Sequence, residues 1–220
     1  MGKVGSAVFA AGKGRGFEAE GMGDIGMTLM HEFAVRTRYG SAVLERRKLV
    51  LDAHVRYLRR FRTRIRFSGP ILDLNGATPI GGFTIFRAAD LRDAQSFVEN
   101  EPFHRAGILD SVELNGYLAF DANVQESLDT AASGGLFLCQ QSIKSLWHGN
   151  GVANPDGLVT SGLTLDGESR RATRLVRIVR AVDSAEARRS IIPTWPQEGK
   201  EPRGASIVRW RFGRAITPPA

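Results

Sequence analysis

Apolar and polar residues change period several times before Tyr117, and each change predicts an element. Leu29, His31, Phe33 and Val35 alternate with Met30, Glu32, Ala34 and Arg36. That period of two predicts a strand over Thr28 to Thr37, with His31 on its apolar side. Leu51, His54, Val55 and Leu58 then fall at i, i+3, i+4 and i+7, one face of a helix. A single imidazole is thereby set among apolar neighbours. Phe67 and Ile85 lie in short β-rich runs. Asp90 stands as an N-cap, with Asp93 at the third helical position in a capping-box-like arrangement. Gly107 follows the last apolar helical turn, and Ser111-Val-Glu-Leu opens a final strand. The order is strand, helix, strand, strand, helix, strand.

The second half echoes this pattern. Ser161-Gly162 follows Ser68-Gly69 by 93 residues. At the same offset Leu72 and Asp73 match Leu165 and Asp166, Ile85 matches Ile178, and Arg87-Ala88 matches Arg180-Ala181. Asp90 matches Asp183, and Ala94 matches Ala187. One constant offset reproduces strand, cap and helix in order, which points to an internal repeat. The chemistry-bearing positions do not recur: His54 maps to Trp147 and Glu101 to Thr194. The second copy's first strand is expected at Leu136 to Gln141 and its last at Ser206 to Phe212. Pro193, Pro196 and Pro202 break the region of its last helix. The expected organisation is a flexible arm over 1–26, a first domain over 27–123, a linker over 124–135, a degenerate second domain over 136–214 and a tail over 215–220.

Composition narrows the function classes. The net charge of +7 could serve an acidic partner, but the arginines are spread along the chain. The densest group is Arg56, Arg59, Arg60, Arg62, Arg64 and Arg66. Its helical members lie away from Leu51 and Leu58, as on a solvated face, so a nucleic-acid interface is not expected. No run of about eighteen apolar residues suggests a membrane helix. The single cysteine, Cys139, leaves no internal disulfide, and a cytoplasmic location is expected. The histidines and Cys139 show no metal-ligand spacing, and no dinucleotide or phosphate-loop fingerprint occurs, so no metal and no cofactor are expected.

The ordered set Ala53-His54-Val-Arg-Tyr-Leu58, Ser68-Gly-Pro70, Gly81-Gly-Phe-Thr-Ile-Phe-Arg-Ala88, Glu101-Pro-Phe103 and Ser111-Val-Glu-Leu114 resembles the YciI-like (YCII-related) domains. Phe33-Ala-Val35 resembles that family's first strand, and Leu44-Glu-Arg-Arg47 the start of its first helix. The resemblance implies an α+β, ferredoxin-like βαββαβ fold: an antiparallel sheet with its helices on one face, of the dimeric α+β barrel type. Such a sheet leaves its other face bare, and a second sheet must cover it. A homodimer, or a pseudo-dimer of two tandem copies within the chain, would supply that cover.

The resemblance also implies a site built on a histidine with an acidic partner. Here these are His54 and Glu101, the latter standing where the family usually has Asp. A carboxylate against an imidazole orients the ring and stabilises its charged form, which suits general acid–base work. Glycines stand near Gly82 where a third-strand hydroxyl is common, so a hydroxyl role would pass to Thr84 or Ser68. Arg46 or Arg47 is a candidate anion anchor, Asp73 a further reachable acid, and His104 a surface residue. The expected function is cofactor-independent proton transfer on a small organic molecule: elimination, isomerisation or hydrolysis. The alternative is a non-catalytic ligand-binding or assembly module.

Overall fold

The computed structural model describes residues 30–40, 43–73, 75–120, 134–143, 157–167, 170–191, 205–211 and 213. The expected arm and tail, most of the expected linker, and the matches Trp147 and Thr194 lie outside the described residues. The first half runs β1 (His31–Tyr39), α1 (Leu44–Arg60), β2 (Ile65–Leu72), β3 (Pro79–Ala88), α2 (Leu91–Glu99), the single turn α3 (Pro102–Arg105) and β4 (Leu109–Ala119). The second half contributes β5 (Gly135–Ser142), β6 (Leu158–Leu165), β7 (Ala172–Ala181), α4 (Ser184–Ile191) and β8 (Ala205–Trp210).

All eight strands close one antiparallel barrel in the order β1-β3-β2-β8-β5-β7-β6-β4. Each half therefore has the same internal order: β4-β1-β3-β2 in the first and β8-β5-β7-β6 in the second. The offset read from the sequence carries through. β6, β7 and α4 each begin 93 residues after β2, β3 and α2. Closure removes the free sheet edges that an isolated half would expose.

The two seams show why Ser-Gly recurs. At one seam β2 meets the end of β8. A Cβ on Gly69 would lie 1.8 Å from the Arg211 carbonyl oxygen, and the Gly213 N–H donates to the Ser68 carbonyl at 2.8 Å. At the other seam β6 meets β4. A Cβ on Gly162 would lie 2.6 Å from the Leu118 carbonyl oxygen, and the Phe120 N–H donates to the Ser161 carbonyl at 3.0 Å. No side chain fits between backbones this close, so each seam needs glycine.

The core forms three layers. Inside the barrel, Ala34, Phe67, Phe83, Ile85 and Tyr117 meet Leu138, Val176, Ile178 and Trp210. Outside the first half, Phe33, Val35 and Phe86 pack against Leu58, Ala94, Phe97 and Val98 of α1 and α2. Outside the second half, Phe137, Cys139, Val179 and Ile207 pack against Ala187 of α4. The central part of β1 is thus buried on both faces, and its alternation separates two apolar layers instead of core from water. His31, expected on an apolar side, is exposed, because it stands at the strand's first position, ahead of the layers that cover Phe33 to Val35.

Local signals set the helix ends. The Asp90 side chain accepts the Asp93 N–H at 2.8 Å, and Asp93 Oδ2 accepts the Ala89 N–H at 2.9 Å, which is the expected reciprocal cap. Arg64 donates to Asp93 at 2.6 Å and Arg66 to Glu32 at 3.1 Å, so two members of the basic group are spent on ion pairs. Arg56, Arg59, Arg60 and Arg62 are exposed. Among the described residues no helix is long and apolar enough to cross a membrane.

Candidate functional site

A cavity of about 470 Å³ opens between the outer face of the first half's sheet and its helices. Its floor comes from residues two apart on neighbouring strands, which share a face. These are Val35, Thr37 and Tyr39 of β1, Gly82 and Thr84 of β3, and Ser68 and Pro70 of β2. Its roof is one face of α1: Arg47, Leu51, His54, Val55 and Leu58. Phe97, Val98, Glu101, Phe103 and Leu109 close the sides. Sequence periodicity had already grouped the apolar α1 residues with His54.

His54 and Glu101 meet across this space. Nδ1 of His54 lies 2.6 Å from Oε1 of Glu101, with both side chains mostly buried. The carboxylate only accepts, so Nδ1 carries the proton and Nε2 is the ring nitrogen left for a bound molecule. Glu101 is held in place by its local structure. It is the N-cap of α3, its Oε2 accepts the His104 N–H at 3.1 Å, and Pro102 supplies the preorganised first turn. The longer arm of Glu lets one oxygen cap the turn while the other reaches the imidazole. Gly107, at φ +63°, ends the turn in the left-handed region.

The imidazole stacks on Phe103, with ring centroids 4.1 Å apart and planes within 9°. Tyr39 meets the same Phe103 edge-on at 5.8 Å, and the Arg47 guanidinium lies 5.4 Å from its centroid. Burial raises the Tyr39 phenol above its ordinary pKa, against the opposing pull of the Arg47 cation. The Ser68 and Thr84 hydroxyls, directly opposite in the β2–β3 ladder, lie 2.7 Å apart on the cavity floor. They stand beside Gly82, so the first half keeps hydroxyls on this face despite its glycines.

Of the residues singled out from sequence, the structure brings together His54, Glu101, Arg47, Ser68 and Thr84. It does not bring Asp73 or Arg46 to them. The Asp73 carboxylate accepts the Ala77 and Thr78 N–H groups of its own turn, and these backbone hydrogen bonds hold its pKa down. The Arg46 guanidinium donates to the Ala106 carbonyl at the end of α3. His104 is exposed, as expected, and acts through its backbone N–H. Cys139 is buried, which pushes its thiol far above the ordinary range and leaves it a poor nucleophile. Among the described residues no three His, Cys, Asp or Glu side chains gather as a metal-ligand group.

Sequence reading missed Tyr39, Thr37, Arg211 and Gly213. Tyr39 and Thr37 could have been found by extending the alternation from Val35. Arg211 and Gly213 arrive beside Ser68 from far along the chain and carry no local signal.

The matching face of the second half is built differently. Ser161 pairs with Arg177 in the β6–β7 ladder, where Ser68 pairs with Thr84 in the first half. The Arg177 side chain is buried, and burial lowers its pKa.

No curated protein matches the chain. The dehydrochlorinase of 5-chloro-2-hydroxyhydroquinone from Burkholderia phenoliruptrix AC1100, solved with 2,5-dihydroxybenzoquinone, is similar at 29% identity. That match covers 38% of this chain and 89% of that one, with a TM-score of 0.37. A mutant chlorite dismutase from Candidatus Nitrospira defluvii, solved with cyanide, is 9% identical. It covers 89% of this chain and 97% of its own, with a TM-score of 0.50, a likeness of fold. An anthrone oxidase-like protein is 10% identical over 83% of this chain and 91% of its own, at a TM-score of 0.46. Residues 31–116, which hold the His54–Glu101 pair and nearly all of the cavity, match and form a YCII-related domain, set in a fold of the dimeric α+β barrel type.

Proposed function

We propose that the cavity binds a small organic molecule and that His54, oriented by Glu101, moves a proton on it. The observation that carries this reading is the 2.6 Å contact between Nδ1 and the carboxylate inside a largely apolar cavity. Nε2 takes a proton from a carbon or hydroxyl of the bound molecule. The imidazolium so formed is stabilised by Glu101. The same nitrogen then returns the proton, to a second carbon in an isomerisation or to a leaving group or its solvating water in an elimination. Apolar walls keep competing water away and strengthen the electrostatic interaction. The Ser68 and Thr84 hydroxyls lie where they can donate to an oxygen on the substrate. The second half acts as the covering sheet, a degenerate copy that closes the barrel and leaves one site per chain.

Turnover tests the reading. A screen of small ring-bearing hydroxy compounds and lactones, monitored for proton exchange with solvent deuterium, identifies the substrate. His54→Ala then lowers kcat by about 10²–10⁴-fold, the usual worth of a general base. Glu101→Gln lowers it by about ten- to a hundredfold, the range of one charge-assisted hydrogen bond. Full activity in His54→Ala sinks the proposal. Binding without exchange in the wild type favours the ligand-binding module instead.

A further inference from the structure

We infer that Arg211, brought to the mouth of this cavity by the second half of the chain, binds the substrate and, with Arg47, selects a small organic carboxylate with an apolar body. The inference rests on the cavity being a ligand site. It goes further by naming the ligand's charge and a residue that reads it.

Among the described residues beyond Leu109, Arg211 and Gly213 alone line the cavity. They are held there firmly. The Trp210 indole N–H donates to the Gly69 carbonyl at 3.2 Å, the Arg211 N–H to the Pro70 carbonyl at 3.2 Å, and the Gly213 N–H to the Ser68 carbonyl at 2.8 Å. The absence of a side chain on Gly69 allows this approach. The Arg211 backbone is therefore fixed against Gly69 and Pro70, and its side chain is exposed at the rim.

The barrel itself does not call for a cation there. The seams are related by the 93-residue offset, at which Arg211 corresponds to Leu118 of β4. Leu118 occupies its seam as an exposed apolar residue. The charge is thus peculiar to the seam that borders the cavity.

The charge balance points the same way. Among the described residues Glu101 is the only acid lining the cavity, and His54 and the His104 N–H engage it. Among the described residues no ion pair uses Arg47 or Arg211. Arg47 lies over the rings of Tyr39 and Phe103, at 5.3 and 5.4 Å. Two arginines and one carboxylate, Glu101, thus line the cavity among the described residues, an excess of one positive charge. A guanidinium offers a planar fork that matches a carboxylate in both geometry and charge. A ring or short chain fills the apolar part, between Leu51, Val55, Val98 and Leu109.

Benzoate and benzyl alcohol, which share a ring and differ in charge, are the probes. Each is titrated calorimetrically into wild type, Arg211→Gln and Arg211→Lys. In the wild type benzoate binds at least about tenfold tighter than benzyl alcohol, the factor of about 1.4 kcal/mol. Arg211→Gln weakens benzoate about three- to tenfold and leaves benzyl alcohol unchanged, while Arg211→Lys recovers part of the loss. Raising ionic strength from about 50 to about 500 mM weakens benzoate more in wild type than in Arg211→Gln. Arg211 is exposed, so unaltered melting confirms that the variants fold. Equal affinity for the two probes, no binding of either, or an unaffected Arg211→Gln protein overturns the inference. These results are separate from those on the dyad: loss of exchange in His54→Ala with benzoate indifferent to Arg211 leaves the proton-transfer reading standing and removes this one.

Discussion

Oε1 of Glu101 holds Nδ1 of His54 at 2.6 Å while Oε2 of the same carboxylate accepts the His104 N–H at 3.1 Å. The acid that orients the imidazole is thus itself oriented by the turn it caps. Glu101→Gln keeps the size but offers one acceptor oxygen where there were two. The expected result is loss of the downfield proton resonance of a hydrogen-bonded Nδ1–H on His54, together with a smaller fall in stability from the weakened cap, about 1 kcal/mol. An unchanged resonance in Glu101→Gln would show that the contact does not orient the ring.

Phe103 is the surface on which His54 rests, and it is almost wholly buried. Phe103→Ala removes the stack and leaves a cavity, at a cost of about 3–5 kcal/mol. Phe103→Leu preserves most of the volume and costs under about 2 kcal/mol. Phe103→Leu is therefore the informative variant: it stays folded, and chemical unfolding together with the breadth of the His54 ring signals reports whether the stack fixes the ring.

Gly69 tests the seam. A methyl group there meets the Arg211 backbone from the outset. Gly69→Ala should cost about 1–3 kcal/mol as an overpacked contact, a fall of roughly 2–12 °C in Tm for a chain of this size. The same change at Gly162 should act similarly at the other seam. Differential scanning calorimetry reads both. Gly69→Ala alone should also weaken ligand binding, since only that seam borders the cavity.

Tyr57 gives a pH dependence. Its hydroxyl donates to the Phe97 carbonyl at 2.8 Å, tying α1 to the last turn of α2. Burial, with the nearby Glu101 charge adding to it, pushes its pKa from 10.0 up to about 12. The folded state therefore keeps this proton where the unfolded chain has lost it. The stability from Tyr57 is complete below pH 10.0 and is lost as pH rises towards about 12. Urea unfolding across this window should show a shallower decline in Tyr57→Phe than in wild type; parallel declines would count against the assignment.

Much of the site was legible because its residues sit on regular elements. The face Leu51, His54, Val55 and Leu58 follows from helical spacing alone, and the cap at Asp90 from local side-chain chemistry; that Glu101 caps α3 emerged only in the structure. Ser68 and Thr84 were candidates only through the resemblance, and the β2–β3 register put them opposite each other. Asp73 and Arg46 looked equally available as sequence. Backbone groups within reach claimed both, and the identity of those groups depends on turn geometry that periodicity does not encode.

The sequence by itself determined the element order, the Asp90 cap, the His54 face of α1 and the constant offset between the two halves. The first three are short-range properties, set by spacing or by a side chain satisfying its own neighbouring backbone, and the offset is the recurrence of such local patterns. The tertiary structure alone decided that the halves close into one barrel, that Gly69 and Gly162 are the points of closest approach, and that Arg211 borders a cavity otherwise built by the first half. Those outcomes depend on pairing strands far apart along the chain, Ile71 with Trp210 among them. Such pairing follows from burying both sheet faces at once, and no local pattern records which distant strand will cover which edge.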